Sequence, residues 1–232
     1  RNFEDIVPDR KLAKEIVKEY ITPVHDAEAN ATRFKTEYRD KVRALELSRK
    51  VSPGNEVSEA HAVQLLGEAM DNIRILENSR GRMAERDGKT LEDWRGIVQD
   101  LRAGSPNLDW GKINGAVESF RKIYDELFQR LNDVRVRNGY EPINYRSGYF
   151  PHFQPGDGGD GILSQFGRAM GIDTQVTALP TSINGLTHNF KPGITWFGNA
   201  QQRKGFNTAY DAVEGFDRYI EGVASVIFQT EN

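Results

Sequence analysis

The chain has 232 residues, of which 28% are charged and 38% hydrophobic, and its formal net charge is −3. This length allows a sizeable buried core, and the slight acidity argues against a general nucleic-acid-binding protein. The chain has no cysteine, which excludes a disulfide framework and a Cys-ligated zinc site. No apolar run approaches the ~20 residues that a membrane-spanning helix needs, so no membrane partner is expected.

The first predicted helix covers residues 8–47. Apolar or small residues recur there in steps of three and four, which places them in one stripe along a helix. Their mean spacing is closer to an eleven-residue repeat than to a heptad, and this predicts a straight or faintly right-handed helix. The stripe consists of Leu12, Ile16, Tyr20, Val24, Ala27, Ala31, Phe34, Tyr38, Val42 and Leu45. Pro23 interrupts the stripe and predicts a kink or break near Thr22, because proline lacks a backbone donor and clashes with the preceding turn.

Two further helices are predicted before residue 104. The second covers residues 58–84, and the residues on its apolar face are Val63, Leu66, Met70, Ile73 and Leu76. The third covers residues 91–102, where Thr90 and Asp93 have the spacing of a capping box.

The fourth predicted helix covers residues 109–138. Asp109 is its N-cap and Gly139 its C-terminal glycine. Its predicted buried face is Ile113, Val117, Phe120, Tyr124, Leu127, Leu131 and Val134. Helical periodicity returns after Thr208, which we expect to cap the last helix. The apolar residues of that helix are Val213, Phe216, Ile220, Val223 and Ile227.

Residues 140–207 differ from the rest of the chain because they are rich in glycine, proline and aromatic residues. Such a long irregular connection is normally functional, partner-bound or disordered, and its aromatic content argues against plain disorder. The sequence therefore predicts a mainly α fold. We expect an elongated helical bundle in residues 1–139, an irregular aromatic arm with one short helix in residues 140–207, and a C-terminal helix in residues 208–232 that packs on the bundle.

The candidate interaction or packing residues are the aromatic and basic side chains of this arm. Residues 174–207 contain no acidic side chain. Interleaved bases and aromatics can bind single-stranded nucleic acid by stacking and charge, but packing on the bundle or on a neighbouring subunit is the favoured interpretation. The candidates are Arg146, Tyr149, Phe150, Phe190, Lys191, Trp196, Phe197, Arg203 and Lys204.

No catalytic, cofactor or metal site is predicted. The histidines are His25, His61, His152 and His188. They form no His-x-x-x-His or Glu-x-x-His pair, the spacings used by helical zinc and di-iron sites. The sequence also lacks a Gly-x-Ser-x-Gly elbow and a cysteine nucleophile. The G-x-G-x-x-G pattern at residues 156–161 follows a proline rather than a strand, so it is interpreted as a flexible turn. A catalytic role for some of the carboxylates stays open, because the chain has many of them.

Three stretches carry a family resemblance. They are residues 138–153 (NGYEPINYRSGYFPHF), 186–198 (LTHNFKPGITWFG) and 210–230 (YDAVEGFDRYIEGVASVIFQT). They resemble segments of large tailed-phage and prophage proteins described as minor head, head-morphogenesis or virion structural proteins. The resemblance covers mainly the second half of the chain and transfers no active-site residue.

The resemblance implies a non-catalytic structural or assembly module that is located in a virion or in the bacterial host cytoplasm. Its partners would be other phage structural proteins or copies of itself. The chain begins at Arg1 rather than at a methionine, so we expect it to be a piece of a longer polypeptide. Two alternatives stay open. One is a nucleic-acid-associated packaging or ejected module that uses residues 174–207, and the other is a hydrolase or toxin-type domain.

Overall fold

The computed structural model describes residues 9–139, 141–142, 148–152 and 210–230. This part of the chain is mainly α, as predicted. In chain order its elements are α1 (Arg10–Ile16), a π-helical turn (Val17–Ile21), α2 (Thr22–Arg43), α3 (Glu59–Asn78), β1 (Glu85–Arg86), β2 (Lys89–Thr90), α4 (Leu91–Gly104), α5 (Trp110–Arg137) and α6 (Ala212–Thr230). The predicted short helix of the aromatic arm lies outside the described residues.

Of the predicted kink or break near Thr22, the break is wrong, because the chain stays helical from Arg10 to Arg43. Thr22 keeps right-handed helical angles, with φ −59° and ψ −47°. Pro23 is near the start of α2 but in the interior of this continuous helix, where a proline lacks a backbone donor and clashes with the preceding turn. The π turn directly before it, Val17–Ile21, has a wider hydrogen-bonding pattern. The local disturbance is therefore a π turn inside a continuous helix.

The segment between α3 and α4 contains a hairpin that the sequence analysis did not predict. Helix α3 ends at Asn78 rather than near residue 84, because Arg80 and Gly81 adopt φ values of 50° and 78°. Strands β1 and β2 then pair antiparallel around Asp87 and Gly88, both with positive φ. Positive φ at both central residues of a two-residue loop is the geometry of a type I′ hairpin turn.

The predicted helix caps at the start of α4 and α5 are confirmed. Thr90 accepts from the Asp93 N–H, and the Asp93 side chain accepts from the Thr90 N–H in return. The Asp109 side chain accepts from the Lys112 N–H. These contacts satisfy N–H groups that have no partner within the helix.

The core forms around α5. Every residue of its predicted face is buried, and α3, α6, the second half of α2 and residues 148–152 pack against it. Helix α4 lies on α3, where Trp94, Ala69 and Leu76 form a smaller buried cluster. Helix α6 packs against α2, α5 and α3. The interior is thus assembled largely from segments distant in sequence.

Helix α6 begins at Ala212 rather than at the predicted Thr208 cap, a residue that lies outside the described part of the chain. The Asp211 side chain accepts from the Glu214 N–H at 2.8 Å, which is an N-cap contact one helical turn later than predicted. The predicted inward residues Phe216, Ile220, Val223 and Ile227 are buried, whereas Val213 is partly buried.

The apolar stripe of the first helix is buried in only one half. Its buried members are Phe34, Tyr38 and Val42. Its exposed members are Leu12, Tyr20 and Val24, at 48%, 57% and 51%. Within the described residues, α1 and the π turn contact mainly the neighbouring parts of their own helix. Before about residue 33 the helix is therefore exposed at these three apolar positions, whereas Ala13 on another side of it is completely buried.

Candidate functional site

Two of the nine sequence-predicted site residues lie in the described part of the chain. Tyr149 and Phe150 are 5% and 0% exposed and belong to the main core. The other seven lie outside the described residues, so their role stays a prediction: Arg146, Phe190, Lys191, Trp196, Phe197, Arg203 and Lys204. Residues 148–152 of the arm pack against the helices, and we call their binding surface on the helices the 148–152 seat.

On the aromatic side of the seat, the Phe150 ring packs against the surface of α3. A Cβ atom at Gly67 would stand 2.5 Å from Phe150 ring atoms, so the ring uses the space that this glycine leaves. The Phe150 ring also has edge contacts with Tyr124 and Phe120 of α5, at centroid distances of 5.6 and 6.3 Å. Burial of a phenylalanine with such contacts stabilises by roughly 1.5–3 kcal/mol from surface area alone.

Tyr149 extends the same aromatic cluster toward α6. Its ring centroid lies 6.4 Å from that of Tyr124, which in turn lies 5.0 Å from Tyr219. Burial raises the pKa of Tyr124 and of Tyr219 well above the usual value. Both phenols are therefore neutral at physiological pH. The cluster is an uncharged packing contact between α5, α6 and the arm.

A polar side of the seat is formed by α3. Gln64 donates from Nε2 to the backbone oxygen of Pro151 at 3.1 Å and to the Glu68 carboxylate at 2.5 Å. Gln64 and Glu68 are both 0% exposed. Their spacing of four residues places them on the same face of the helix. This face therefore offers hydrogen bonds to the backbone of the arm.

One side chain of the described arm residues, that of His152, contacts a carboxylate of α3. His152 Nε2 lies 2.9 Å from Asp71 Oδ2, and the two side chains are 1% and 2% exposed. A buried carboxylate needs partners of this kind, because burying an unpaired charge is costly. The contact joins residues 81 positions apart in the chain and fixes the end of the described arm segment on α3.

Two arginines complete the surroundings of the seat. The Arg74 guanidinium occupies the space that a Cβ at Gly148 would need, and Gly148 has φ 67°. Arg121 is 3% exposed and donates from Nη1 to Glu118. Burial lowers the pKa of Arg121, an effect that the Glu118 carboxylate opposes and the Arg74 charge adds to. The positive φ favours glycine at residue 148, because other residues are strained there, whereas the end of the flexible Arg74 side chain could move away from an added Cβ.

The start of the arm is fixed separately. Arg135 is 2% exposed and donates from Nε and Nη2 to the backbone oxygen of Glu141, at 3.1 and 2.9 Å. Gly139, which precedes this point, has φ 77°, as expected for a glycine that ends a helix. The arm therefore leaves α5 through a hydrogen-bonded turn before residues 148–152 enter the core.

The chemistry of the seat is that of a packed interior. A histidine beside a carboxylate can act as an oriented base in an open site, but here both groups face inward and are almost fully covered. Within the described ranges, no group of three His, Asp or Glu side chains is arranged to hold a metal ion. The described geometry supports attachment of the arm to the bundle.

Sequence reasoning missed the polar half of this site. Gln64, Glu68 and Asp71 fall between the apolar positions of α3, where charged residues usually face water. The available signal was the Gly-Tyr-Phe-Pro-His run at residues 148–152, whose histidine follows two large aromatics. Nothing in the sequence pairs that histidine with Asp71.

Comparisons with protein-family models, curated proteins and solved structures found no match to this chain. Among the helices of the described residues, none combines the length and the apolar character required to cross a membrane.

Proposed function

We propose that this chain is a structural or assembly module of a phage or prophage head-associated protein, without chemistry of its own. The proposal starts from the resemblance of residues 138–153, 186–198 and 210–230 to virion structural proteins. The observation that supports it best is the 148–152 seat. The aromatic and histidine side chains of that resembling stretch serve as packing and hydrogen-bonding groups between helices rather than as an open reaction site.

The way in which the seat holds the arm supports an assembly role. The arm is fixed near Glu141 by Arg135 and again at residues 148–152 by α3 and α5. A long segment that is attached to the bundle at two points can present its remaining side chains to a neighbouring virion protein or to another copy. Aromatic side chains are enriched at the centres of such interfaces.

The direct test is the location of the protein in its phage. An epitope-tagged copy should band with purified particles in a density gradient, and deletion of the coding region should leave particles incomplete or non-infectious. Recovery of the tagged protein only from the host's soluble fraction, together with normal infectious particles from the deletion strain, would contradict the proposal.

The acid-free stretch of residues 174–207 favours nucleic-acid binding as the second candidate function. Trp196→Ala separates it from packing. A packed tryptophan should cost roughly 3–5 kcal/mol of unfolding free energy on truncation. A stacking platform should instead lose about 1–3 kcal/mol of DNA affinity with little change in stability, and its binding should weaken steeply with salt. We expect the loss of stability. The hydrolase or toxin alternative predicts turnover of nucleotide or peptide substrates by the purified chain.

A further inference from the structure

The first half of the long N-terminal helix has an apolar surface that the bundle does not cover. Leu12, Tyr20 and Val24 are each about half exposed. They are eight and four residues apart, and the wider π turn at Val17–Ile21 brings Leu12 and Tyr20 closer into line than a regular α-helix would. Together they form one exposed side of this helix, which we call the 12–24 face; the completely buried Ala13 lies outside it.

The charged side chains of this part of the helix differ in their pairing from those that follow it. From Lys35 onward, the helix is ion-paired to the bundle: Lys35 contacts Glu221 at 2.9 Å, and Arg39 contacts Asp217 and Glu221 at 2.9 and 2.8 Å. In the described part of the chain, no charged residue of positions 10–33 forms an ion pair. Within the described residues, the charged side chains of the helix are thus ion-paired to the bundle after about residue 33 and form no ion pairs before it.

The charges of residues 10–32 are divided into two halves. Residues 10–18 contain four basic side chains and one acidic side chain, a net charge of +3, and these are Arg10, Lys11, Lys14, Lys18 and Glu15. Residues 19–32 contain three acidic side chains and no Lys or Arg, a net charge of −3, and these are Glu19, Asp26 and Glu28. The basic half of one helix therefore complements the acidic half of a second, antiparallel copy.

We infer that the 12–24 face binds the same face of a second copy of this chain, in an antiparallel arrangement whose two-fold axis passes near Tyr20. In such a self-complementary interface, if one residue of the first copy contacts another residue of the second copy, the reverse contact is also made. Leu12 of one copy then lies near Ala27 of the other, and Ile16 lies near Val24. A parallel arrangement would place +3 beside +3 and −3 beside −3, which electrostatic complementarity disfavours.

Single cysteines test this arrangement without interference, because the chain has no cysteine of its own. Disulfide formation needs Cα atoms about 4.4–6.8 Å apart. Tyr20→Cys in the 232-residue chain should therefore form a covalent dimer on mild oxidation, since residue 20 lies at the axis. Leu12→Cys should stay monomeric on a denaturing gel, but should cross-link when mixed with Ala27→Cys. Val51→Cys, an exposed position outside the helix at 56%, is the control and should not cross-link.

Light scattering gives the second readout. The unmodified chain should have twice the 26.2 kDa mass of one copy, and its dissociation constant should rise several-fold at about 1 M salt, where the Debye length is about 3 Å. A monomeric chain, a self-cross-link at Leu12→Cys, equal cross-linking of Val51→Cys or a salt-insensitive dimer would each overturn the inference. These measurements use the purified chain, so such a result would leave the proposed virion role untouched.

Discussion

Gly67 of α3 lies directly beneath the ring of Phe150, so close that a Cβ at residue 67 would stand 2.5 Å from the ring atoms. This contact joins the middle of a helix to an irregular segment 83 positions later in the sequence. Real Cβ contacts are not so short, and Phe150 is completely buried among aromatic rings that limit its movement. The glycine is therefore part of the seat.

Gly67→Ala should destabilise the protein, although alanine favours helices. The added methyl group must displace the Phe150 ring, and overpacking of this kind costs about 1–3 kcal/mol. Urea unfolding should show a lower midpoint with an unchanged slope. Gly115→Ala on α5 is the matched control, because nothing lies within 4 Å of a Cβ at that position. It should stabilise by up to about 1 kcal/mol. Equal effects at the two positions would contradict the described packing.

Removing either member of the His152–Asp71 contact should destabilise the bundle. His152→Ala leaves a buried carboxylate without this partner, which costs roughly 1–3 kcal/mol in addition to the cavity. Asp71→Ala should cost a similar amount, and the double mutant should show a coupling energy of about 0.5–3 kcal/mol. His25→Ala, at an exposed position, should change stability by less than about 0.5 kcal/mol. Strict additivity of the two single effects would show that the contact contributes nothing.

Thr90→Ala should remove the N-cap of α4. The hydroxyl accepts from the Asp93 N–H at 3.2 Å and donates to the Asp93 carboxylate at 2.7 Å. Substituting such a cap by alanine costs about 0.5–2 kcal/mol, which thermal or urea unfolding can resolve. Thr36→Ala is the comparison, because its hydroxyl donates to a backbone oxygen within α2 and caps nothing. If both variants lose the same stability, the cap is not the cause.

The α5 face shows what the sequence could predict and why. All seven of its predicted residues are buried, because a helix at the centre of a bundle needs apolar residues at every inward step. The first helix has the same periodicity, yet Leu12, Tyr20 and Val24 are exposed. Periodicity identifies the side of a helix that could be buried, while the extent of burial depends on where neighbouring helices end.

The polar half of the 148–152 seat was beyond sequence reasoning for a related reason. Asp71 and Gln64 look like solvent-facing residues until the arm returns to cover them, and the contacting atoms belong to Pro151 and His152. Local rules performed well where partners are close in sequence, as at Thr90. Contacts across 80 or more positions require the assembled fold.

Acid should weaken the protein partly through Glu59, at the start of α3. Burial alone would raise the pKa of this carboxyl, but hydrogen bonds from Lys112 Nζ at 2.7 Å and from the Ser48 N–H at 2.8 Å outweigh that effect and lower the pKa from its usual value. A carboxyl whose folded pKa is depressed stabilises the fold above its unfolded pKa. The contribution is lost as the pH falls through the folded value.

Glu59→Gln should therefore cost roughly 1–3 kcal/mol at pH 7, the range for hydrogen bonds to charged groups. The difference from the unmodified chain should shrink progressively below about pH 4.5. Urea midpoints measured from pH 7 to pH 3 give both quantities. Lys112→Gln removes the shorter of the two hydrogen bonds. Like Glu59→Gln, it should reduce the dependence of the unfolding free energy on pH between pH 7 and pH 3. A cost for Glu59→Gln that stays constant across this range would mean that the Glu59 carboxylate is not held by these donors in the folded protein.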